Sequence, residues 1–261
     1  MSKHTARSNK EFAPLPIVLK KNELVWNTAP CLWKREQKKI DEYRTFFSRQ
    51  TTKEQYAHPL YRIYRNAVQK KDVFLFSKHA LRHDLTLLLP SPKNSPLPTR
   101  TIGHVHKKNK AGVSYPELYC VIKGTALFLL ENKRRTISLV ARCSVGEKII
   151  IPPEYGHIII NASAHAPAIV ANLFTSKKNV SDYSFFKKSH GPSWIPLWSK
   201  KEIYFVKNEQ SVKKNSVKNL LARQTKVTKK GVSLYASFIK NPSAFDFLNH
   251  PEHHRPLLEI L

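Results

Sequence analysis

The feature that most constrains this chain is a succession of short apolar runs between residues 73 and 175, separated by Pro, Gly and Asn. The runs are VFLF, DLTLLL, ELYCVI, TALFLL, RTISLVA, EKIIIP, HIII and PAIVANLF. Many short runs at roughly ten-residue spacing indicate β-strands, whereas parallel βαβ units would need helices between them. We therefore predict an all-β sandwich or barrel over this part of the chain.

Two turn signals delimit these runs. Asn132-Lys133 separates TALFLLE from RRTISLV and predicts a hairpin turn. Pro152-Pro153 predicts the end of a strand, because proline cannot donate a hydrogen bond to the ladder.

The flanking sequences have helical patterns. Apolar residues at three- and four-residue intervals predict one amphipathic helix over residues 34–49, and a second short helix is expected within residues 211–224. The apolar spacing of the final segment predicts a helical tail that is interrupted at Pro242 and Pro251.

A chain of 261 residues is long enough for one core with extensions. We expect an N-terminal extension of mixed helix and loop at residues 1–57 and a barrel at residues 58–191. Residues 192–261 are expected to form a basic C-terminal extension that packs on the barrel.

The chain is strongly basic, with 45 Lys and Arg against 18 Asp and Glu, a formal net charge of +27. Such a charge attracts nucleic acid, an acidic membrane surface or a small phosphorylated ligand. The basic residues are spread along the whole chain, which also fits a solvated lysine-rich surface. No nucleic-acid-binding motif is present, so a nucleic-acid partner is not expected.

The cysteines and the N-terminus indicate the compartment. Cys31, Cys120 and Cys143 are an odd number without C-x-x-C spacing, which predicts neither a disulfide framework nor a cysteine zinc site. The N-terminal residues lack the apolar core of a signal peptide, and no 18-residue run is uniformly apolar. We therefore expect a soluble cytoplasmic protein without a membrane partner.

Four polar residues among the apolar runs suggest a metal site. His104 and His106 are two residues apart on an expected strand, so both rings project from one face. Glu117 lies on the next strand and His157 on a third. If the strands close into a small barrel, these side chains converge, and three imidazoles with one carboxylate suit a divalent first-row metal.

Three motifs carry a resemblance to a known family. They are TIGHVH at residues 101–106, PELY at residues 116–119 running on to Gly124, and PPEYGH at residues 152–157 followed by Asn161. With these motifs the chain resembles a cupin, and more closely the archaeal-type, metal-dependent glucose-6-phosphate isomerases. DLT at residues 84–86, SDY at residues 181–183 and the C-terminal tail add to the resemblance, which covers about residues 58–191 and that tail.

The resemblance implies a cupin double-stranded β-helix, or jelly roll, with helical extensions at both ends. It implies an aldose–ketose isomerase of glycolysis and gluconeogenesis that interconverts glucose 6-phosphate and fructose 6-phosphate. The reaction would pass through a cis-enediol or a metal-directed hydride shift. The cofactor would be one divalent metal per subunit, with Fe²⁺ expected first and Mn²⁺, Ni²⁺, Co²⁺ or Zn²⁺ as alternatives, and the expected assembly is a homodimer.

The resemblance also assigns roles to residues. The metal ligands would be His104, His106, Glu117 and His157, and the catalytic residues Glu117 and Tyr119. The substrate and its phosphate would be held by Thr86, Thr101, Gly103, Tyr155 and Tyr183. Glycine lets the backbone approach an anion closely, and threonine hydroxyls donate hydrogen bonds, which agrees with a phosphate grip.

Two departures from the family pattern leave the substrate more open than the metal. Residues 107–116 form a long connection between His106 and Glu117, and Glu154 stands where an aromatic or neutral residue is expected. A sugar epimerase or a dioxygenase with the same ligands remains an alternative, as does a non-enzymatic basic cupin that binds nucleic acid.

Overall fold

A computed structural model describes residues 15–26, 31–39, 59–200, 202–211, 216–220, 228 and 231–258. The strands in these ranges are β1 Ile17–Lys20, β2 Glu23–Trp26, β3 Cys31–Lys39, β4 Pro59–Gln69, β5 Leu81–Leu88, β6 Val105–His106, β7 Glu117–Lys123, β8 Thr125–Asn132, β9 Ile137–Ser144, β10 Lys148–Ile151, β11 Tyr155–Asn161, β12 Ala168–Thr175, β13 Ser181–Asp182, β14 Trp194–Ser199, β15 Glu202–Lys207 and β16 Ser216–Leu220. The α-helices are α1 Val73–Lys78, α2 Ser184–Lys187, α3 Leu234–Lys240 and α4 Arg255–Leu258, and short 3₁₀ helices cover Lys70–Asp72, Pro242–Leu248 and Pro251–His253.

Two sheets form the body of the protein. One has the strand order β10-β7-β12-β5-β4-β3 and the other the order β11-β8-β9-β16. Neighbours pair antiparallel, except that β16 runs parallel to β9. Side chains from both sheets share one buried core, which includes Phe128 and Leu130 from β8 and Val121 and Val170 from β7 and β12. The expected all-β jelly roll is confirmed.

The strands are apolar on both faces because both faces of each sheet are covered. On β8, Phe128 and Leu130 point into the core between the sheets, whereas Leu127 and Leu129 point outward and pack with Phe186. This double burial explains why the runs read as continuous apolar stretches rather than as an alternation of apolar and polar residues.

The C-terminal segment covers the outer face of the six-stranded sheet. Tyr235 and Phe238 of α3 belong to one buried cluster with Leu85 and Leu118 of the sheet. Ser233 caps α3 by accepting a 3.1 Å hydrogen bond from the Ala236 N–H. The predicted helical tail is confirmed, with its interruptions at Pro242 and Pro251.

Three predictions of secondary structure are wrong. Residues 73–76, VFLF, belong to α1, since a four-residue apolar run fits a helix as well as a strand. The predicted helix at 34–49 is a strand over residues 34–39, where the chain pairs with β4 at the edge of the large sheet; its remainder lies outside the described residues. Residues 216–220 form β16 instead of a helix because they pair with β9.

The remaining seven apolar runs each form a strand, with the hairpin after Asn132 and the strand end before Pro152 as predicted. In the described part of the N-terminal extension the chain forms β1, β2 and β3 rather than helix. The domain boundaries at residues 57 and 191 stay predictions. Among the described residues, no helix has the length and apolarity needed to cross a membrane.

Candidate metal centre

The segment that carries the first two histidines is held tightly against β11. His104 and His157 form an isolated antiparallel bridge, with the His157 N–H donating to the His104 carbonyl at 3.1 Å. Gly103 has φ +83°, and a Cβ there would collide with the side chains of Ile158 and Phe186. Glycine is therefore required at this position by packing as well as by backbone conformation.

The four predicted ligands meet at one end of the sandwich. Their ligand atoms all lie within 4.8 Å of one another. Glu117 Oε2 is 3.3 Å from His106 Nε2, 3.4 Å from His157 Nε2 and 4.0 Å from His104 Nε2. This oxygen is buried and has no hydrogen bond of good geometry to any described residue. A buried, unsatisfied carboxylate oxygen that faces three imidazole nitrogens fits a divalent cation.

Neighbouring groups orient two of the four ligands. His106 Nδ1 donates to the Tyr115 carbonyl at 2.7 Å, which leaves the lone pair of Nε2 directed at the cluster. Asn172 Nδ2 donates to Glu117 Oε1 at 2.7 Å and thereby leaves Oε2 for the imidazoles. Both contacts place the preferred lone pairs toward a common centre.

The protonation states also suit a cation. Burial, followed by the neighbouring His157 and His106, holds the pKa of His104 well below its ordinary value. Burial lowers the pKa of His157 to about 4, although Glu117 opposes the shift. Burial would raise the pKa of Glu117, but its contacts with His106, then the charges of His157 and Arg82, lower it overall. His104 and His157 are thus held neutral and Glu117 is held ionised, which are the states in which these groups bind a metal.

Tyr119 borders the cluster on the side of His157. Its hydroxyl lies 3.1 Å from His157 Nε2. Burial, and then the negative charge of Glu117, raise the pKa of Tyr119 well above its ordinary value. Tyr119 therefore keeps its proton at neutral pH and can donate a hydrogen bond but not act as a base.

A narrow pocket of about 40 Å³ opens onto the cluster. It is lined by most of the residues predicted to contact substrate, namely Thr86, Thr101, Gly103, Tyr119 and Tyr183. The Thr101 hydroxyl accepts a 2.9 Å hydrogen bond from the Ile159 N–H and keeps its own proton to donate. The Gly103 N–H makes no hydrogen bond to a described residue.

Two residues with an expected or alternative role at the site do not line the pocket. Tyr155 lies at the start of β11 and packs against the core between the sheets. His165, considered as an alternative base, is exposed in a turn where its N–H donates to the Ser163 hydroxyl.

The two features that depart from the family pattern, the 107–116 connection and Glu154, do not line the pocket. The 107–116 connection folds back on itself through a bridge between Lys108 and Ser114. Asn109 Nδ2 within it donates to Glu252 Oε2 at 2.6 Å. Glu154 Oε1 accepts a 2.9 Å hydrogen bond from the Ser114 hydroxyl, so its charge stays outside the pocket.

Sequence reasoning missed three polar residues of this site: Asn172, Arg65 and Arg82. Asn172 is the one asparagine in the apolar run PAIVANLF, and that irregularity is a usable signal. The two arginines gave no signal because they stand among 45 basic residues.

Two facing antiparallel sheets with these imidazoles and this carboxylate at one end of the space between them define a cupin. The family follows from the sequence itself. The model of the glucose-6-phosphate isomerase (GPI) family matches residues 36–214, well over half of the chain, so the chain belongs to that family. No curated protein shows significant similarity to the chain.

Solved structures of similar shape are distant in sequence. Oxalate decarboxylase from Bacillus subtilis is 15% identical, with a TM-score of 0.36 over 51% of this chain and 30% of that chain. A recombinant oxalate oxidase in complex with glycolate is 14% identical, with a TM-score of 0.30 over 39% of this chain and 45% of that chain. The match thus spans less than half the length of either enzyme, and neither bears on the reaction of this protein.

Proposed function

We propose that this protein is a metal-dependent isomerase that interconverts glucose 6-phosphate and fructose 6-phosphate, in glycolysis and gluconeogenesis in the cytoplasm. The observation that carries the proposal is the unsatisfied Glu117 Oε2 among three imidazole nitrogens in a chain of this family. The pocket beside it is lined by hydroxyls and by a free peptide N–H, which are suitable donors for a phosphorylated sugar.

His104, His106, Glu117 and His157 would hold the metal, with Fe²⁺ expected first and Mn²⁺, Ni²⁺, Co²⁺ or Zn²⁺ as alternatives. Nitrogen ligands with one carboxylate do not select strongly among these ions. When bound, a divalent metal polarises a carbonyl oxygen and so acidifies the neighbouring C–H group.

Isomerisation moves one proton between C2 and C1 of the open-chain sugar and one proton between O2 and O1. Glu117 is the carboxylate in the pocket that could carry the carbon-bound proton through a cis-enediol. With Oε1 accepting from Asn172 and Oε2 facing the three imidazoles, the proton would be carried by the remaining lone pair of one of these oxygens. The protonated Tyr119 hydroxyl would donate a hydrogen bond to a sugar oxygen. A direct hydride shift is the competing mechanism.

The phosphate would be held by Thr86, Thr101 and the Gly103 N–H. All three line the pocket, and the Gly103 N–H has no described partner of its own. Neutral donors of this kind hold an anion through hydrogen bonds without adding charge beside the metal ligands.

A coupled isomerase assay on metal-loaded protein, with and without chelator, tests the activity. We expect turnover that is lost with chelator and restored by metal. Solvent deuterium at the exchanged carbon would support the enediol. A metal-loaded protein that interconverts neither sugar phosphate would refute the proposal, and oxygen consumption would point to dioxygenase chemistry instead.

The roles of the carboxylate and the histidines can be separated by substitution. Glu117→Gln keeps an oxygen donor and the side-chain shape but removes basicity, so activity should collapse while metal occupancy falls only in part. His106→Ala removes a complete ligand and should lower both together. If Glu117→Gln turns over normally at full metal loading, Glu117 is a ligand and not the base.

A further inference from the structure

A cluster of two arginines and one aspartate stands at the same pocket. Arg65 Nη1 and Arg82 Nε each lie 2.9 Å from Asp84 Oδ2, and Asp84 Oδ1 accepts a 2.8 Å hydrogen bond from the Asn66 N–H. Asp84 is fully buried, so these contacts fix both guanidinium groups in place. Both arginines line the pocket that opens onto the metal cluster.

The donors of this cluster are only partly used. Arg82 binds Asp84 through Nε, and its terminal Nη1 and Nη2 make no hydrogen bond to the described part of the chain. The Arg82 side chain is 24% exposed. Glu36 lies 3.6 Å from Arg65 Nε and partly neutralises that residue, so Arg82 offers the larger free donor surface. A guanidinium fork with free terminal nitrogens matches two oxygens of a phosphate or carboxylate.

The strand register separates this cluster from the proposed phosphate grip. Arg82 and Thr86 lie on the same face of β5 four residues apart, which is about 13 Å along the strand. Thr86 is opposite Val170 on β12, whereas Arg82 is opposite Phe174 and lies over its ring at 5.2 Å. On β7, Leu118 pairs with Leu173, so Glu117 at the start of that strand lies toward the Arg82 end.

Along β5, therefore, Thr86 lies toward one end of the pocket and Arg82 toward the other, and Glu117 lies near the Arg82 end. An anion at Arg82 would lie beside Glu117 and away from Thr86.

We propose that Arg65 and Arg82 form a second anion site, so that the pocket favours sugar derivatives with an anionic group at each end. This inference rests on the proposed function in placing the first phosphate at the threonines. A phosphate or carboxylate at C1 removes the free carbonyl, so such a ligand cannot isomerise. It would occupy the site of the substrate as a competitive inhibitor.

The competing explanation is that the arginines only join β4 to β5 through Asp84. In that case their replacement would change stability but not the preference between ligands with one and two anionic groups. The ratio of the two affinities, measured on the same variant at equal metal content, separates the explanations, because a general loss of folded protein affects both ligands equally.

Calorimetric titration of the metal-loaded full chain with glucitol 6-phosphate and glucitol 1,6-bisphosphate provides the test. Neither ligand can isomerise. We expect the wild type to bind the bisphosphate about tenfold more tightly, since charge-assisted hydrogen bonds at a partly exposed site are worth that order. Arg82→Gln and Arg65→Gln should bring the ratio toward one, and Arg82→Lys, which keeps the charge, should give an intermediate ratio.

Arg142→Gln is the matched control, because Arg142 is exposed on β9 and does not line the pocket. It removes the same charge and should keep the wild-type ratio. A wild-type ratio near one, a ratio unchanged by Arg82→Gln, or no binding of either ligand would overturn the second site.

The outcomes for the two proposals are distinct. Turnover without a preference for the bisphosphate would refute the second anion site alone. A preference that Arg82→Gln abolishes, in a protein without isomerase activity, would refute the proposed reaction and leave the anion site standing.

Discussion

His83 is a buried histidine whose protonation should make folding depend on pH. It lies on β5, faces the C-terminal segment and is 2% exposed. Its Nδ1 donates to the Ala67 carbonyl at 3.0 Å, and its ring meets Tyr235 edge-on at 5.3 Å. Burial lowers the pKa of His83 from 6.5 to about 4, although the Ala67 carbonyl and Asp84 oppose that shift.

The direction in which stability changes with pH follows from the protons that the folded and unfolded chains bind. Between pH 6.5 and 4 the unfolded chain binds a proton at His83 that the folded protein does not bind. The free energy of unfolding therefore rises with pH across this window, and the contribution present above pH 6.5 is lost as the pH falls toward 4. With these two pKa values, protonation of His83 alone should lower the free energy of unfolding by about 2 kcal/mol between pH 7 and pH 5.

Urea unfolding of the wild type and of His83→Gln at pH 7 and pH 5, at equal metal content, measures this contribution. The variant has no titrating group at this position, so its loss of stability on acidification should be about 2 kcal/mol smaller. His165→Gln, from an exposed turn, serves as the control and should keep the wild-type pH dependence. Equal pH dependence in the wild type and His83→Gln would refute the reasoning.

Three further substitutions test the packing around the site. Thr101→Val should leave metal content unchanged and weaken binding of the sugar phosphate about 10- to 150-fold, measured as KM, because a phosphate oxygen loses its donor. An unchanged KM would show that Thr101 does not bind the phosphate. Asn172→Leu leaves Glu117 Oε1 without its 2.7 Å hydrogen bond and should lower metal affinity about 10- to 100-fold in a chelator competition; wild-type affinity would show that the carboxylate needs no such support. Gly103→Ala should lower the free energy of unfolding in urea by about 2–4 kcal/mol, because the added Cβ is strained at positive φ and overpacks its neighbours. A loss below about 1 kcal/mol would contradict the close packing.

The sandwich was predictable because its strands follow one another at short, punctuated intervals. TALFLL and RTISLVA form β8 and β9 with the predicted turn after Asn132, and EKIIIP ends at Pro152 as β10. RTISLVA and EKIIIP are rich in β-branched residues, and TALFLL is short and is followed by a turn signal, so local sequence decides the structure of all three runs.

The wrong predictions of secondary structure concern segments whose structure depends on tertiary contacts. Residues 34–39 are strongly polar and have a helical pattern, yet the free edge of β4 offers them a ladder of hydrogen bonds. VFLF could be either helix or strand, and Phe76 becomes buried when the run is helical. Neither outcome can be derived from a window of the sequence alone.

The part of the site that lies in short sequence motifs was predictable. Spacing and strand faces placed the histidines together with Glu117. Asn172 was not found because its partner Glu117 is 55 residues away and only the pairing of β12 with β7 brings the two together. Local sequence does not encode that pairing. Arg82 was not found because it is one of 45 basic residues and nothing local distinguishes it.

The 107–116 connection links the candidate metal centre to the 3₁₀ helix Pro251–His253 near the end of the described chain. Its residue Tyr115 orients His106, and its residue Asn109 donates a hydrogen bond to Glu252, the residue after Pro251. Replacement of Glu252 by alanine would release one anchor of this connection without removing any residue of the buried cluster on the large sheet. A protein without this contact should therefore still fold but exchange the proposed metal faster, so that a contact from the C-terminal segment would govern how long the ion stays bound.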